Sequence, residues 1–337
     1  MIRILHGDCR DVLKTLPDES VHCCVTSPPY FGLRDYGVDG QIGLEQTPDA
    51  FVAELVVVFR EVRRVLRDDG TLWLNLGDSY AGSWGARGGR GEGTNAARPD
   101  LEAKHGTAAP NRHGFMDIGV KPKDLIGIPW RVAFALQADG WYLRQDIIWS
   151  KPNPMPESVR DRCTKAHEYL FLLSKSPRYY FDAEAMQEAA QGQNEHDLTG
   201  GVYAPDGQRA HTGSRAYSFS RKTATTPPPG SPAQHREDRE DVAYAGTRNK
   251  RSVWTVATEP FKEAHFATFP PSLIEPCIKA GCPEGGTVLD PFGGAGTTGL
   301  VADRLQREAL LIELNPSYAE MARKRIHNDA PLFAAIE

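Results

Sequence analysis

The four residues Ser27-Pro28-Pro29-Tyr30 carry the clearest chemical signal in the chain. They end a short apolar run over residues 21–25, which predicts a buried strand. Proline fixes φ and lacks an N–H group, and it forces the preceding residue to be extended, so the pair predicts a rigid corner at the strand end. The backbone carbonyls at such a corner lack partners in the sheet, and an aromatic ring stands beside them. This arrangement suits the binding of a flat ring that carries an amino group. The alternative is a cis-proline turn that only closes the strand.

A second candidate site follows residue 286, near the other end of the chain. Residues 287–313 run in the order strand, glycine-rich turn, helix, strand and acid, and Glu313 lies 20 residues after Gly293. This order is typical of nucleotide-type sites, in which the distal carboxylate accepts hydrogen bonds from ribose hydroxyls. Asp290 stands just before the turn, where its charge would repel a pyrophosphate but attract an ammonium group. The pattern therefore favours S-adenosylmethionine over NAD, although Asp290 as a helix N-cap and Phe292 as a core residue remain alternatives.

Hydrophobic periodicity predicts the elements that position these two sites. Strands are expected at 3–6, 21–25, 70–76, 142–149, 167–173, 287–290 and 309–313, with a further short strand over Tyr179–Phe181, and helices at 11–16, 48–66, 129–138, 271–279, 297–304 and 317–327. We expect Asp68-Asp69-Gly70 to end the long helix. The alternation predicts an α/β fold of parallel strands joined by crossover helices.

Composition limits the classes of protein that fit. The 337 residues are 40% hydrophobic and 25% charged, as in ordinary globular proteins, and the net charge of −5 gives no whole-chain argument for a polyanionic partner. The six cysteines contain no CxxC pair, so we expect no metal site, and Cys23 and Cys24 are expected to be buried thiols. No apolar run approaches a membrane span and no signal peptide is visible, so we expect a cytoplasmic protein.

Two segments depart from the α/β pattern. Residues 79–123 are rich in glycine and basic residues, and they predict either a mobile basic loop or plain disorder. Residues 183–252 also contain a basic stretch mixed with aromatic residues, which predicts either a nucleic-acid surface or a solvated linker. The candidate DNA-contacting residues in these segments are Arg87, Arg90, Arg248, Lys250 and Arg251.

The motifs, taken together, resemble those of the DNA amino-methyltransferases. The resemblance is carried by Gly7-Asp8-Cys9, Thr26–Tyr30 and Asp290–Thr298, with support from Trp149–Asn153 and Phe269–Leu273. Because the Ser-Pro-Pro-Tyr motif precedes the glycine loop, the order is similar to that of the β class, a circularly permuted version of the Rossmann-like S-adenosylmethionine-dependent fold. The resemblance implies a site-specific enzyme that methylates the exocyclic amino group of a flipped base in double-stranded DNA.

The resemblance also implies a role for each matching residue. Ser27, Pro28, Pro29 and Tyr30 would be the catalytic residues that hold the base. Glu313 would accept from the ribose hydroxyls, and Asp8 would accept from the adenine amino group of the cofactor. The remaining cofactor-binding residues would be Phe269, Pro270, Asp290, Phe292, Gly293, Gly294, Gly296, Thr297 and Thr298.

The identity of the target base is left open by the sequence. Serine at the first motif position favours N4 of cytosine, since aspartate or asparagine there is commoner in enzymes that methylate N6 of adenine. Two other functions compete with DNA methylation. An RNA or protein-glutamine methyltransferase would usually place the cofactor loop before the Pro-Pro corner, and a non-catalytic DNA-binding regulator would not need an intact Ser27–Tyr30 corner and Glu313.

The predicted organisation has three parts. Residues 1–182 would form the catalytic half of the methyltransferase domain, residues 183–252 the target-recognition region, and residues 253–337 the cofactor-binding half. By analogy with the family, a homodimer and a cognate restriction endonuclease are possible partners.

Overall fold

The computed structural model describes residues 1–81, 119–189, 247–259 and 268–329. Eight strands in these ranges form one sheet in the order β1-β10-β9-β2-β3-β5-β4-β8. Five neighbouring strands run parallel: β1 (Ile2–His6), β10 (Glu308–Glu313), β9 (Thr287–Asp290), β2 (Val21–Thr26) and β3 (Leu66–Leu76). Strands from the two ends of the chain therefore lie side by side in the middle of the sheet.

One strand runs antiparallel to its neighbours, so the sheet is mostly parallel, as the α/β pattern predicts, but not entirely so. Strand β5 (His167–Ser174) pairs antiparallel with both β3 and β4 (Tyr142–Ser150), while β8 (Val253–Thr255) pairs parallel with β4. Because β5 is reversed, its first residues lie at the edge where the other strands end. Glu168 is accordingly in register with Trp149, near the end of β4.

Helices cover both faces of this sheet, as the alternation of elements predicts. They are α1 (Cys9–Val12, continued by a 3₁₀ turn over Leu13–Thr15), α2 (Pro48–Val65), α3 (Ile128–Ala138), α4 (Pro271–Gly281), α5 (Thr297–Arg304) and α6 (Pro316–Asp329). Helices α2 and α3 pack into one hydrophobic cluster, and α4, α5 and α6 pack into the other. The strands supply side chains to both clusters in alternation, since Cys23 belongs to one and Cys24 to the other.

The longest helix shows how the sequence sets the fold locally. Thr47 caps α2 by accepting a hydrogen bond from the backbone N–H of Ala50 (3.1 Å), and Pro48 occupies the first turn. The apolar residues of α2 recur at helical spacing, and Phe51 is fully buried among them. Burial of one such side chain stabilises the fold by about 1.5–3 kcal/mol.

Two local predictions are wrong. Asp68-Asp69-Gly70 does not end α2, because β3 begins immediately at Leu66 and these residues lie within the strand. Tyr179–Phe181 is not a strand either; Phe181 packs on Trp73 with ring centroids 6.5 Å apart, so its apolar character reflects a side-chain contact. Cys23 and Cys24 are fully buried, as expected.

The chain divides into two compact units. The first contains Met1–Met186 and Arg251–Glu337, and the second contains Gln187–Lys250. The described part of the second unit is an antiparallel pair of short strands, β6 (Gln187–Ala189) and β7 (Thr247–Asn249). The predicted role of this region in target recognition remains a prediction. Among the described helices, none has the length and hydropathy that a membrane span requires.

Candidate active site at the strand ends

A cavity in the first unit brings the two sequence motifs together. Its walls come from the segments that follow β1, β2, β9 and β10, all at one edge of the sheet. The predicted site residues that line it are Asp8, Ser27, Pro28, Pro29, Tyr30, Phe269, Asp290, Phe292, Gly293, Gly294, Thr297 and Glu313. The Ser-Pro-Pro-Tyr corner and the glycine loop, which are more than 250 residues apart in sequence, therefore share one cleft.

Three predicted cofactor-binding residues lie outside the lining of this cavity. Gly296 has a positive φ of 74° and caps α5, and a Cβ there would lie 2.8 Å from that of Ala322 in α6. Thr298 is fully buried behind the loop, and Pro270 caps α4. Since none of the three lines the cavity, their role in cofactor binding remains a prediction.

Three of the five predicted DNA contacts fall within the described residues: Arg248, Lys250 and Arg251. Arg87 and Arg90 lie outside the described residues. Arg248 forms an ion pair with Glu188 at 2.9 Å within the second unit. Lys250 and Arg251 also have interactions of their own. Their role in DNA binding remains a prediction.

Asp290 is a buried carboxylate held by three donors. Its Oδ1 atom accepts from the Thr26 hydroxyl (2.6 Å) and from the backbone N–H of Phe292 (3.0 Å), and its Oδ2 atom accepts from the Thr298 hydroxyl (2.6 Å). Burial raises the pKa of Asp290, and these hydrogen bonds oppose that shift. Asp290 is not the N-cap of α5, because Gly296 holds that position. Within the described residues Oδ2 receives this one hydrogen bond, and a carboxylate oxygen can accept a second.

Glu313 is tied to the glycine loop across the cavity floor. Its Oε2 atom accepts from the backbone N–H of Gly294 (2.7 Å), and its Oε1 atom accepts from the backbone N–H of Asn315 (2.8 Å). Burial raises the pKa of Glu313, while the two backbone donors oppose that shift. Each carboxylate oxygen retains one further acceptor site, so the group can accept from two neighbouring hydroxyls.

Asp8 is occupied more fully than the sequence suggested. It caps α1 through the backbone N–H of Arg10 (2.8 Å), and it accepts from the Arg10 guanidinium at Nη2 (2.6 Å) and Nε (3.0 and 3.1 Å). Burial would raise the pKa of Asp8, but the hydrogen bonds and charge of Arg10 outweigh it and lower the pKa. The same guanidinium donates to the carbonyl of Gly40 (2.6 Å), so Arg10 joins Asp8 to the segment that covers the cavity.

The residues after the Ser-Pro-Pro-Tyr corner form that cover. Residues between Leu33 and Ile42 line the cavity, and Tyr36 meets Tyr318 of α6 edge to face at 6.4 Å between ring centroids. The backbone N–H of Tyr36 donates to the Gln41 side chain (2.7 Å), which shapes the turn of the cover. The cavity therefore lies between the strand ends and the covering residues 33–42.

Tyr30 is held at its hydroxyl group and along one side of its ring. Its hydroxyl donates to Glu168 Oε2 (2.7 Å) and lies 3.3 Å from Asn75 Oδ1. A Cβ atom on Gly77 would lie only 2.5 Å from Cε2 of the ring, so the ring packs directly on the backbone that follows β3. Burial and the neighbouring Glu168 carboxylate raise the pKa of Tyr30 well above its usual range, so the hydroxyl keeps its proton.

Several residues with contacts at this edge are not among the site residues predicted from the sequence: Arg10, Thr26, Asn75, Gly77, Lys151 and Glu168. Lys151 and Glu168 do lie in segments that were noticed, at the end of β4 and the start of β5. The sequence does not show that β5 runs antiparallel to its neighbours, and this direction places Glu168 at the edge of the sheet where the cavity lies.

Comparisons with known proteins fit this geometry. Residues 21–324 match the DNA methylase family N6_N4_Mtase. The Type II methyltransferase M.XycI of Xanthomonas campestris pv. cyanopsidis is 46% identical over 323 residues, which is 96% of this chain and 87% of the relative. The Type II methyltransferase M.Cfr9I of Citrobacter freundii is 44% identical over 332 residues, which is 97% of this chain and 88% of the relative.

Solved structures share the fold at lower identity. The Thermus thermophilus protein TTHA0409, in complex with S-adenosyl-L-methionine, aligns with a TM-score of 0.56 at 23% identity over 100% of this chain and 99% of that one. The PvuII DNA methyltransferase (cytosine-N4-specific) aligns with a TM-score of 0.57 at 18% identity over 99% of this chain and 94% of that one. The fold is thus the Rossmann-like methyltransferase fold that the sequence predicts.

The extent of the family match and the identity to Type II methyltransferases place the chain within a known group. The chain belongs to the N6_N4_Mtase family of DNA methylases. It is a DNA methyltransferase, and the recognition made from its motifs is confirmed.

Proposed function

We propose that this chain transfers a methyl group from S-adenosylmethionine to the exocyclic amino group of a base flipped out of double-stranded DNA, with N4 of cytosine favoured over N6 of adenine. The observation that carries the proposal is the shared cavity between Ser27–Tyr30 and the Asp290–Gly294 loop. The donor and the acceptor of a methyl group must meet in one cleft. The motif proposed to bind the cofactor and the motif proposed to bind the base line the same cavity.

The residues of the cavity fit this cofactor. S-adenosylmethionine carries an ammonium and a sulfonium, so carboxylates near its methionine end are favourable. The free acceptor site of Asp290 suits the ammonium, and the two free acceptor sites of Glu313 suit the two ribose hydroxyls. Phe269 and Phe292 supply apolar walls. When bound, the cofactor supplies an electrophilic methyl group.

Asp8 is the weakest part of this assignment. Its two oxygens already receive four contacts from Arg10, which occupy about four acceptor sites. An adenine amino group would have to share one of them, for example by displacing one of the two longer contacts from Nε. The role of Asp8 as an acceptor for adenine therefore depends on a small shift of the Arg10 side chain.

The Ser27–Tyr30 corner would act on the target base. The amino group of cytosine or adenine is a poor nucleophile, because its lone pair is delocalised into the ring. Hydrogen bonds from this group to the Ser27 hydroxyl oxygen and the Pro28 carbonyl would favour a pyramidal nitrogen whose lone pair faces the methyl group. Tyr30 would stack on the base and offset part of the cost of flipping it. Most of the rate enhancement would come from positioning and electrostatics.

Cytosine is favoured because Ser27 occupies the first position of the motif. A serine hydroxyl accepts more weakly than a carboxylate, and adenine-specific members more often carry an acid or amide there. The proposal extends to two partners, a second copy of this chain and a cognate restriction endonuclease, the latter because the close relatives are Type II methyltransferases.

Methylated nucleosides from treated DNA test the proposal. Unmethylated bacterial genomic DNA is incubated with the purified protein and S-adenosylmethionine, digested to nucleosides and analysed by mass spectrometry. N4-methylcytosine is expected with the wild-type protein, and much less of it with Tyr30→Ala. Detection of N6-methyladenine would show that the target base is adenine, and detection of 5-methylcytosine would contradict transfer to an amino group. Cofactor binding without any methyl transfer would support a non-catalytic regulator.

A further inference from the structure

A small polar network lies behind Tyr30 and outside the cofactor cavity. Glu168 accepts from the Tyr30 hydroxyl through Oε2, and its Oε1 atom accepts from the ammonium of Lys151. The Asn75 amide donates to Glu168 Oε2 (3.3 Å) and to the carbonyl of Tyr169 (3.1 Å). Lys151, Glu168 and Asn75 do not line the cavity, whereas Tyr30, which contacts Glu168 and Asn75, does.

The pair of charges in this network is largely buried. The side chains of Lys151 and Glu168 are 17% and 14% exposed, and the Lys151 Nζ atom also lies 4.2 Å from the centroid of the Trp149 ring. Removing two charges from water costs several kcal/mol, and their attraction often only offsets that cost. A buried pair is therefore weak evidence for stability, and its contact with a catalytic ring points to a different role.

We propose that Glu168, held by Lys151, is a positioning residue that fixes the ring of Tyr30 for stacking on the target base. The inference rests on the proposed function of Tyr30. The ring needs two constraints to keep one orientation, and Gly77 supplies the first by close packing. Glu168 supplies the second, because a carboxylate is a stronger acceptor for the phenol than a neutral group.

Lys151 orients the carboxylate of Glu168. With one carboxylate oxygen bound to the ammonium, the other is left facing the Tyr30 hydroxyl and the Asn75 amide. Loss of the ammonium would free the carboxylate to rotate, and the hydrogen bond that tethers the ring to Glu168 would weaken. The two residues would thus act on methyl transfer through Tyr30, since neither lines the cavity.

A double-mutant cycle tests the inference. Single-turnover methyl transfer to unmethylated genomic DNA is measured for Tyr30→Phe, Glu168→Gln and the double variant, with the affinity for S-adenosylmethionine measured by calorimetry. Each single variant should lose about 10–100-fold in rate, because a displacement of about 1 Å can cost that much. Cofactor affinity should stay within a few-fold. The double variant should be no slower than the slower single variant, within about twofold.

Variants of Lys151 provide a readout that a purely structural role would not give. Lys151→Arg keeps a cation beside Glu168 and should retain most of the transfer rate, while Lys151→Met should be as slow as Glu168→Gln. Both should bind the cofactor normally. The matched control is Asp139→Asn, which breaks the ion pair of Asp139 with Arg60 (2.5 Å) on the helix layer and should leave the transfer rate unchanged.

The outcomes separate the two proposals. If the wild-type protein methylates no DNA base, the proposed function fails. If the wild-type protein is active but the losses from Tyr30→Phe and Glu168→Gln multiply, or Lys151→Met matches the wild-type rate, the inference is overturned. If Glu168→Gln does not fold, as judged by its melting curve, the comparison of Lys151→Arg with Lys151→Met decides the matter.

Discussion

The substitution Gly77→Ala should slow methyl transfer by pushing Tyr30 out of place. The new Cβ would lie 2.5 Å from Cε2 of the Tyr30 ring, whereas ordinary contacts begin at 3.4 Å, so the ring or the backbone must move by about 0.9 Å. The ring cannot yield freely, because its hydroxyl is tethered to Glu168. The substitution therefore displaces either the ring or the neighbouring backbone by about 0.9 Å, at a side chain that we propose to be catalytic.

The expected loss follows from that displacement. A misplacement of about 1 Å can lower a rate by about 10²-fold, which corresponds to roughly 2.7 kcal/mol of transition-state stabilisation. Overpacking at the same site should also lower the free energy of unfolding by about 1–3 kcal/mol. Because Gly77 does not line the cofactor cavity, the affinity for S-adenosylmethionine should remain within a few-fold.

Single-turnover transfer of a labelled methyl group to DNA, with thermal melting and calorimetry alongside, measures all three quantities. Gly285→Ala is the matched control: Gly285 has a positive φ but no atom within 4 Å of the added Cβ, and it precedes β9 at the opposite edge of the sheet. The control should lose stability and keep its transfer rate. A Gly77→Ala protein that transfers methyl groups within about twofold of wild type would refute the argument that the position of Tyr30 limits the reaction.

Three further predictions concern the pocket and the core. Tyr30→Ala should abolish most turnover while cofactor affinity, measured by calorimetry, stays within a few-fold; a loss of affinity instead would place the ring in the cofactor site. Glu313→Gln should weaken cofactor binding by about 1.5–3 kcal/mol, the usual loss for a hydrogen bond to a charged group. Burial raises the pKa of Glu313 above that of an ordinary glutamate, about 4.3. As the pH is lowered, cofactor binding by the wild-type protein should therefore begin to weaken above that pH, and this effect should be smaller in Glu313→Gln. Identical pH profiles for the two proteins would contradict the role of Glu313 in cofactor binding. Phe51→Ala should lower the free energy of unfolding by about 3–5 kcal/mol in denaturant titrations, since the side chain is fully buried in α2; a loss below about 1 kcal/mol would show that the core there is loosely packed.

Much of the fold could be predicted because its signals are local. The helical spacing of apolar residues in α2, and the apolar runs of β2 and β10, set those elements within a few residues of their observed bounds. The reversed direction of β5 could not be predicted in this way. A buried strand has the same composition in either direction, and only its neighbours in the sheet decide which way it runs.

The same division applies to the candidate site. Residues such as Asp290 and Glu313 could be found because their chemistry depends on spacing within one strand-turn-helix unit. The contacts of Tyr30 with Glu168 and Gly77 could not, because they join segments 138 and 47 residues away in sequence and depend on how strands are paired. The hydrogen bond from the backbone N–H of Arg10 to Asp8 could have been predicted from the sequence. An aspartate at a helix N-cap commonly accepts from the backbone N–H two residues later.

A crystal structure with S-adenosylmethionine tests the central claim most directly. The account predicts the ribose hydroxyls against Glu313, the ammonium against Asp290, and the methyl group facing the Ser27–Pro28 corner, with room for an amino nitrogen at about 3–3.5 Å from the methyl carbon. Cofactor bound outside this cavity, or bound in it with the methyl group facing away from Ser27 and Tyr30, would contradict the account.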